Sequence, residues 1–164
     1  MQRIAFSIIS LSFLFACAGP WASPAPGDLA ATHQSAGRLQ EASREIELAI
    51  RVHPRDLSLR RQAARIYVEA GRDDRAVKHL EAAIQLAPRD GELWIDLAKI
   101  ERDRENIADA YVAYRRAAAL APTDVRAISG LALSAENLGF FEEASAAYAK
   151  WAELKRNSRS EASE

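Results

Sequence analysis

The sequence predicts an all-α fold, an α-solenoid of about four stacked helix-turn-helix repeats, and three observations carry that expectation. Pro54, Pro88 and Pro122 stand 34 residues apart. Two residues after each comes an aspartate, Asp56, Asp90 and Asp124, where a carboxylate can accept the free N–H groups that open a helix. Glycines keep the same interval at Gly37, Gly71 and Gly139; the missing member is Glu105, followed by Asn106, which also tolerates the left-handed backbone of a tight turn. Each proline thus closes a helix pair, each aspartate opens the next, and each glycine turns the chain inside a pair.

The first helix of each pair is predicted near 28–36, 57–70, 91–104 and 125–138, and the second near 38–52, 73–87, 107–121 and 141–155. The repeats then run 23–54, 55–88, 89–122 and 123–156, together a solenoid over 28–156. Small residues recur in the second helices at Ala42, Ala76, Ala110 and Ala144, and four residues on a large side chain follows at Ile46, Leu80, Tyr114 and Tyr148. The alanine lets two helices approach, and the large residue fills the space one turn away. No repeat can bury its apolar face alone, so each leans on its neighbours.

A hydrophobic fraction of 49% over 164 residues is enough for a core, and it is carried mostly by alanine and leucine, which favours helix over strand. Lys and Arg total 22 against 23 Asp and Glu, with both signs interspersed, so no basic stripe points to nucleic acid.

The chain begins with a charged Arg3 and an uncharged apolar run from Ile4 to Ala16, the layout of a secretory signal over residues 1–17. The run is too short to span a bilayer comfortably. Leu14-Phe15-Ala16-Cys17 resembles the bacterial lipoprotein signal, with Cys17 as the lipidated residue and Phe15 bulkier than the usual small residue. That resemblance implies an exported outer-membrane lipoprotein facing the periplasm, with a lipid anchor to the membrane. Cleavage after Ala18, giving a soluble periplasmic protein, is the alternative, as is a Cys17 that is merely apolar. Residues 18–27, with Pro20, Pro24 and Pro26, read as an extended tether. Residues 157–164, rich in serine and charge, read as a disordered tail.

The period and its residues resemble the tetratricopeptide repeat. The third repeat shows Trp94-x-x-Leu97-Ala98, Ala110, Tyr114, Ala117 and Pro122; the second shows Ala63-Ala64, Tyr67, Ala76, Leu80, Ala83 and Pro88. The fourth departs, with Trp151 in place of a small residue and Arg156 in the proline position. The resemblance implies that the first helices line a concave groove for a partner peptide or helix, and that Trp94 is a core residue. On that frame the groove residues are Arg61, Gln62 and Arg65, then Ile95, Asp96, Lys99 and Arg102, then Ser129, Leu133 and Asn137. Such a groove, basic near its start and partly apolar near its end, suits an extended segment with acidic and aliphatic residues. Asp96 stands where a C-terminal carboxylate clamp would want an asparagine, so a C-terminal carboxylate is not the expected ligand. Trp151 either caps the last repeat or forms an end-cap contact with a further protein.

No enzyme is expected. His33, His53 and His79 fall in different repeats without metal spacing, and no nucleophile elbow or phosphate loop occurs. The expected partner is a protein or peptide, with no cofactor, metal, nucleic acid or small-molecule substrate. Three roles fit that expectation: an envelope scaffold assisting pilus or secretion-system assembly, a soluble periplasmic adaptor or chaperone of the cytochrome c maturation kind, or a structural subunit docked through its C-terminal end.

Overall fold

The computed structural model describes Ala25 and residues 27–161, and Cys17, the predicted signal and most of the tether lie outside them. Eight α-helices are present among the described residues: α1 (Asp28–Ser35), α2 (Leu39–Val52), α3 (Leu57–Glu69), α4 (Asp73–Leu86), α5 (Gly91–Asp103), α6 (Ile107–Leu120), α7 (Val125–Asn137) and α8 (Phe141–Glu161). Each helix packs chiefly on its neighbours in sequence, and α5 also meets α7. The result is four helical hairpins stacked in chain order.

The aspartates cap as their position requires. Asp56 accepts from the backbone N–H of Ser58 at 2.8 Å and of Leu59 at 3.3 Å, Asp90 from Glu92 at 3.0 Å, and Asp124 from Arg126 at 2.8 Å. Within each hairpin the first helix ends on a doubled hydrogen bond around one left-handed residue: Gly71 N–H donates to Val68 O at 2.9 Å and Arg72 N–H to Tyr67 O at 2.8 Å. The same closure recurs at Gly37 and Gly139. In the third hairpin Glu105 itself takes the left-handed conformation, with φ 65°, while Asn106 sits at φ −81° as the residue before α6. The glycine's role therefore passes to Glu105 and not to the asparagine beside it, at the steric cost a Cβ brings.

Residues 157–161 correct the expectation of a tail that is disordered from 157 onward. They form the last turn of α8, which runs to Glu161. In the other repeats a proline stops the second helix, but here Arg156 stands in that position, followed by residues that tolerate helix.

Two apolar clusters fill the interior. One spans α1 to α5 around Ile46, Leu59, Tyr67 and Leu80; the other spans α5 to α8 around Ile95, Tyr114, Ile128 and Ala144. Trp94 and Leu97 pack against both, which makes α5 the shared wall of the stack. Trp94 is half-buried, packed against the two clusters and not inside either, and its indole N–H donates to Pro88 O at 3.1 Å, which fastens the turn before α5.

Candidate protein-binding groove

The first helices of the hairpins, α1, α3, α5 and α7, are tied to one another by polar side chains about one repeat apart. Gln34 Nε2 donates to Glu69 Oε1 at 2.6 Å, joining α1 to α3. Arg61 donates to Asp96 at 3.0 Å and lies 3.8 Å from Glu92, joining α3 to α5. Arg126 then bonds Glu92 and Asp124, joining α5 to α7, and holds both carboxyls below the usual range. These charge-assisted bonds fix the lateral spacing of the first helices.

Between α3 and α5 a cavity of about 280 Å³ opens, floored by Leu80 and Ala64, with Val68 and Ile100 as apolar lining. Arg61, Arg65, Asp96 and Lys99 all line it, so four of the expected groove residues come together. The expected basic character does not. Glu69, Asp96 and Asp103 line the same cavity and balance Arg61, Arg65 and Lys99. Arg61 is taken by Asp96, Glu69 by Gln34, and Asp103 by Arg102, which leaves Arg65 and Lys99 as cations without an ion pair among the described residues.

The other expected residues are placed differently. Ile95 is 0% exposed and belongs to the second core cluster. Because α5 is packed by hairpins on both sides, Leu93 and Ile100 turn to one cluster and Ile95 and Ala98 to the other, and no side of Ile95 is left for a ligand. Gln62 reaches back to Gly27 O at 3.1 Å and secures the start of α1. Arg102 turns to Asp103 at 2.8 Å and to the Tyr114 hydroxyl at 3.4 Å. Leu133, 44% exposed, and the exposed Asn137 lie further along on α7, and Ser129 donates to Arg126 O at 3.2 Å. Trp151 packs on the second core cluster with Lys155 Nζ 5.2 Å over its ring, in company with Leu154. Val68, Glu69, Ile100 and Asp103 were not anticipated, although Glu69 and Asp103 stand one turn beyond Arg65 and Lys99 and share one repeat position.

A second polar cluster lies where α3 meets α2 and α4. The Tyr67 hydroxyl donates to Glu47 Oε1 at 2.7 Å, His79 Nε2 lies 3.2 Å from the same oxygen, and the His79 and Tyr67 rings stack at 5.3 Å. Arg75 approaches the Tyr67 hydroxyl at 3.3 Å. Burial pushes the His79 pKa down; Glu47 opposes that shift, and Arg60 and Arg75 reinforce it. His79 Nδ1 is buried without a hydrogen-bond partner, which fits a neutral ring that donates through Nε2 and would need a new acceptor if protonated. With its folded value depressed, the unfolded chain takes up the proton first as pH falls. Stability is therefore expected to be full above the ordinary value of 6.5 and to decline from there down through the depressed native value. Urea midpoints measured across that range check this, and His79→Gln is expected to flatten the decline.

Residues 57–100 match the family model described as tetratricopeptide repeat. A comparison with curated proteins finds no match. Among solved structures, the crystal structure of MamA superposes with a TM-score of 0.72 at 21% identity, covering 79% of this chain and 75% of that one. MamA 41-end from Desulfovibrio magneticus RS-1 gives 0.70 at 18% identity, covering 80% and 74%. At such identities the likeness is one of fold. The tetratricopeptide match thus covers residues 57–100, and the described residues form an all-α solenoid of four stacked hairpins that shares the fold of those structures.

Proposed function

We propose that this solenoid is a non-enzymatic scaffold that holds a segment of a partner protein along its first helices, with Arg65 and Lys99 as the cationic contacts and Val68 and Leu133 as apolar ones. The observation that carries the reading is that Arg65 and Lys99 line the α3–α5 cavity without ion pairs among the described residues, while the neighbouring Arg61, Glu92, Asp96, Arg102, Asp103 and Arg126 are all matched. A carboxylate of the partner supplies the missing counter-charge, and Val68 and Ile100 suit an aliphatic residue beside it. The tetratricopeptide fold supports a protein-binding scaffold in general. Export, lipid attachment at Cys17 and service to an envelope assembly such as a pilus or secretion system belong to the same proposal and rest on the residues up to Cys17.

The test is purification of the full chain from solubilised envelope, followed by titration of the co-eluting protein against variants. Arg65→Glu combined with Lys99→Glu is expected to weaken binding by about tenfold or more, roughly 1.4 kcal/mol, with the melting temperature unchanged. Lys150→Glu on α8 is expected to be silent. In the same fractions Cys17→Ser is expected to move the protein from membrane to soluble. Unchanged affinity in the groove variant, with loss in Trp151→Ala, would replace the groove by the end of the solenoid.

A further inference from the structure

The second helices carry a site of their own. Between α2 and α4 lies a cleft of about 510 Å³, with Tyr67, only 1% exposed, at its floor. Arg44 and Arg51 line it from α2, and Arg72 and Arg75 from the turn into α4 and its first residues. Glu47 is the one acidic residue in that lining, and it is already held by Tyr67 and His79. Arg44, Arg51 and Arg72 have no ion-pair partner among the described residues, while Arg75 is turned to the Tyr67 hydroxyl and ring. The positive charge is local, since the chain as a whole carries a net charge of −1.

The repeat does not demand these arginines. One repeat further on, their positions hold Lys78, Gln85, Asn106 and Asp109, and one further still Val112, Ala119, Phe140 and Glu143. The same repeat positions therefore carry arginines once, then a mixed set, then an apolar and acidic one. What distinguishes the first is side-chain chemistry that stacking the hairpins leaves free.

We propose that the α2–α4 cleft is a second binding site, separate from the groove of the first helices, and that it takes an extended acidic segment of a partner protein. Guanidinium groups pair carboxylates in two-point geometry, and three of these are left without that partner. Arg44 and Arg51 are two helical turns apart, about 10 Å along α2. A segment in the polyproline-II conformation rises about 3.1 Å per residue and returns to the same side every third residue, so carboxylates at every third position, about 9 Å apart, meet both. Leu48 lies between the two arginines in sequence and is half exposed, which gives an apolar side chain of the segment a place to rest. A recessed cleft with an apolar contact fits a peptide better than the flat headgroup layer of a membrane.

The probe is a labelled synthetic peptide with glutamate at every third position and leucine between, titrated by fluorescence anisotropy into the folded full chain. Saturable binding that weakens as salt rises is expected. Arg44→Glu with Arg51→Glu is expected to reduce it at least about tenfold, with helicity and melting unchanged because both residues are exposed. Arg72→Ala gives a second, milder loss that does not depend on the reversal folding normally. Arg65→Glu with Lys99→Glu is expected to leave this binding intact, so failure of the groove reading and failure of this one are separable. Binding that ignores the α2 reversal and Arg72→Ala, or that disappears only with the groove variant, overturns the proposal. So does capture of vesicles rich in anionic phospholipid through Arg44 and Arg51 when the peptide is not bound, which would assign the cleft to a lipid surface.

Discussion

Replacing Gly130 by leucine is expected to lower stability by about 3 kcal/mol, the upper part of the range for overpacking a filled core. Gly130 lies inside α7, where no turn calls for glycine. A β-carbon built there falls on the ring of Tyr114, a side chain 2% exposed in the second core cluster. The ring cannot swing away, since α6 is packed on α5 and α7 and the surrounding positions are filled. Even Gly130→Ala is therefore costly, and the cost belongs to the pair. Tyr114→Leu alone leaves a void, but combined with Gly130→Ala it makes room for the new methyl group, so the double variant is expected to lose less than the two single losses added. The measurement is a set of urea melts, with a coupling of roughly 0.5–3 kcal/mol as the expected result. Additive losses would show that ring and glycine do not constrain each other.

The same glycine marks where the sequence was hard to read. Its repeat position is held by Gln62 and Asp96 in the preceding hairpins, and both of those make the polar ties described for the first helices. At Gly130 the tie gives way to close packing, a change that only the position of Tyr114 explains. The backbone features were legible because they are local: a cap needs an aspartate just before its helix, and a left-handed turn residue favours glycine. Those constraints placed six helix starts, the aspartates before α3, α5 and α7 and the glycines before α2, α4 and α8, while α6 and α1 followed from the 34-residue phase. Side-chain pairing across helices is not local. Arg61 could have remained a free groove cation on spacing alone, and its loss to Asp96 depends on how closely α3 and α5 approach. Ile95 misled for a related reason: helical spacing identifies a face, but α5 has core on two faces, and which residues remain open follows from the stack. The helical run through 157–161 was partly in view, because Arg156 already occupied the position at which proline stops the other repeats.

Tyr67→Ala is expected to cost about 3–5 kcal/mol, the range for truncating a large buried ring. Tyr67 combines two roles that separate variants can divide. Its ring is packed in the first core cluster and stacks on His79, while its hydroxyl donates to Glu47 at 2.7 Å. Tyr67→Phe keeps the ring and removes only the hydroxyl, and Glu47, whose side chain is 34% exposed, can turn to water for the lost bond. That change is expected to cost about 1 kcal/mol. One repeat later the same position is Glu101, 6% exposed, with Arg104 Nη1 at 3.0 Å and Asn106 Nδ2 at 2.8 Å. The position therefore accepts either a buried ring or a carboxylate with its own donors, but not an unpartnered charge. Tyr67→Glu loses the packing of the ring and sets a carboxylate against Glu47; Arg72 stands at the Asn106 position and Arg75 lies near, but Ala70 stands where Arg104 would be needed, so the change should be about as damaging as alanine. Chemical denaturation of the four proteins tests the order. Phenylalanine should lie near the original, and alanine and glutamate far below it. Equal losses for phenylalanine and alanine would place the worth of Tyr67 in its hydroxyl and not in its ring.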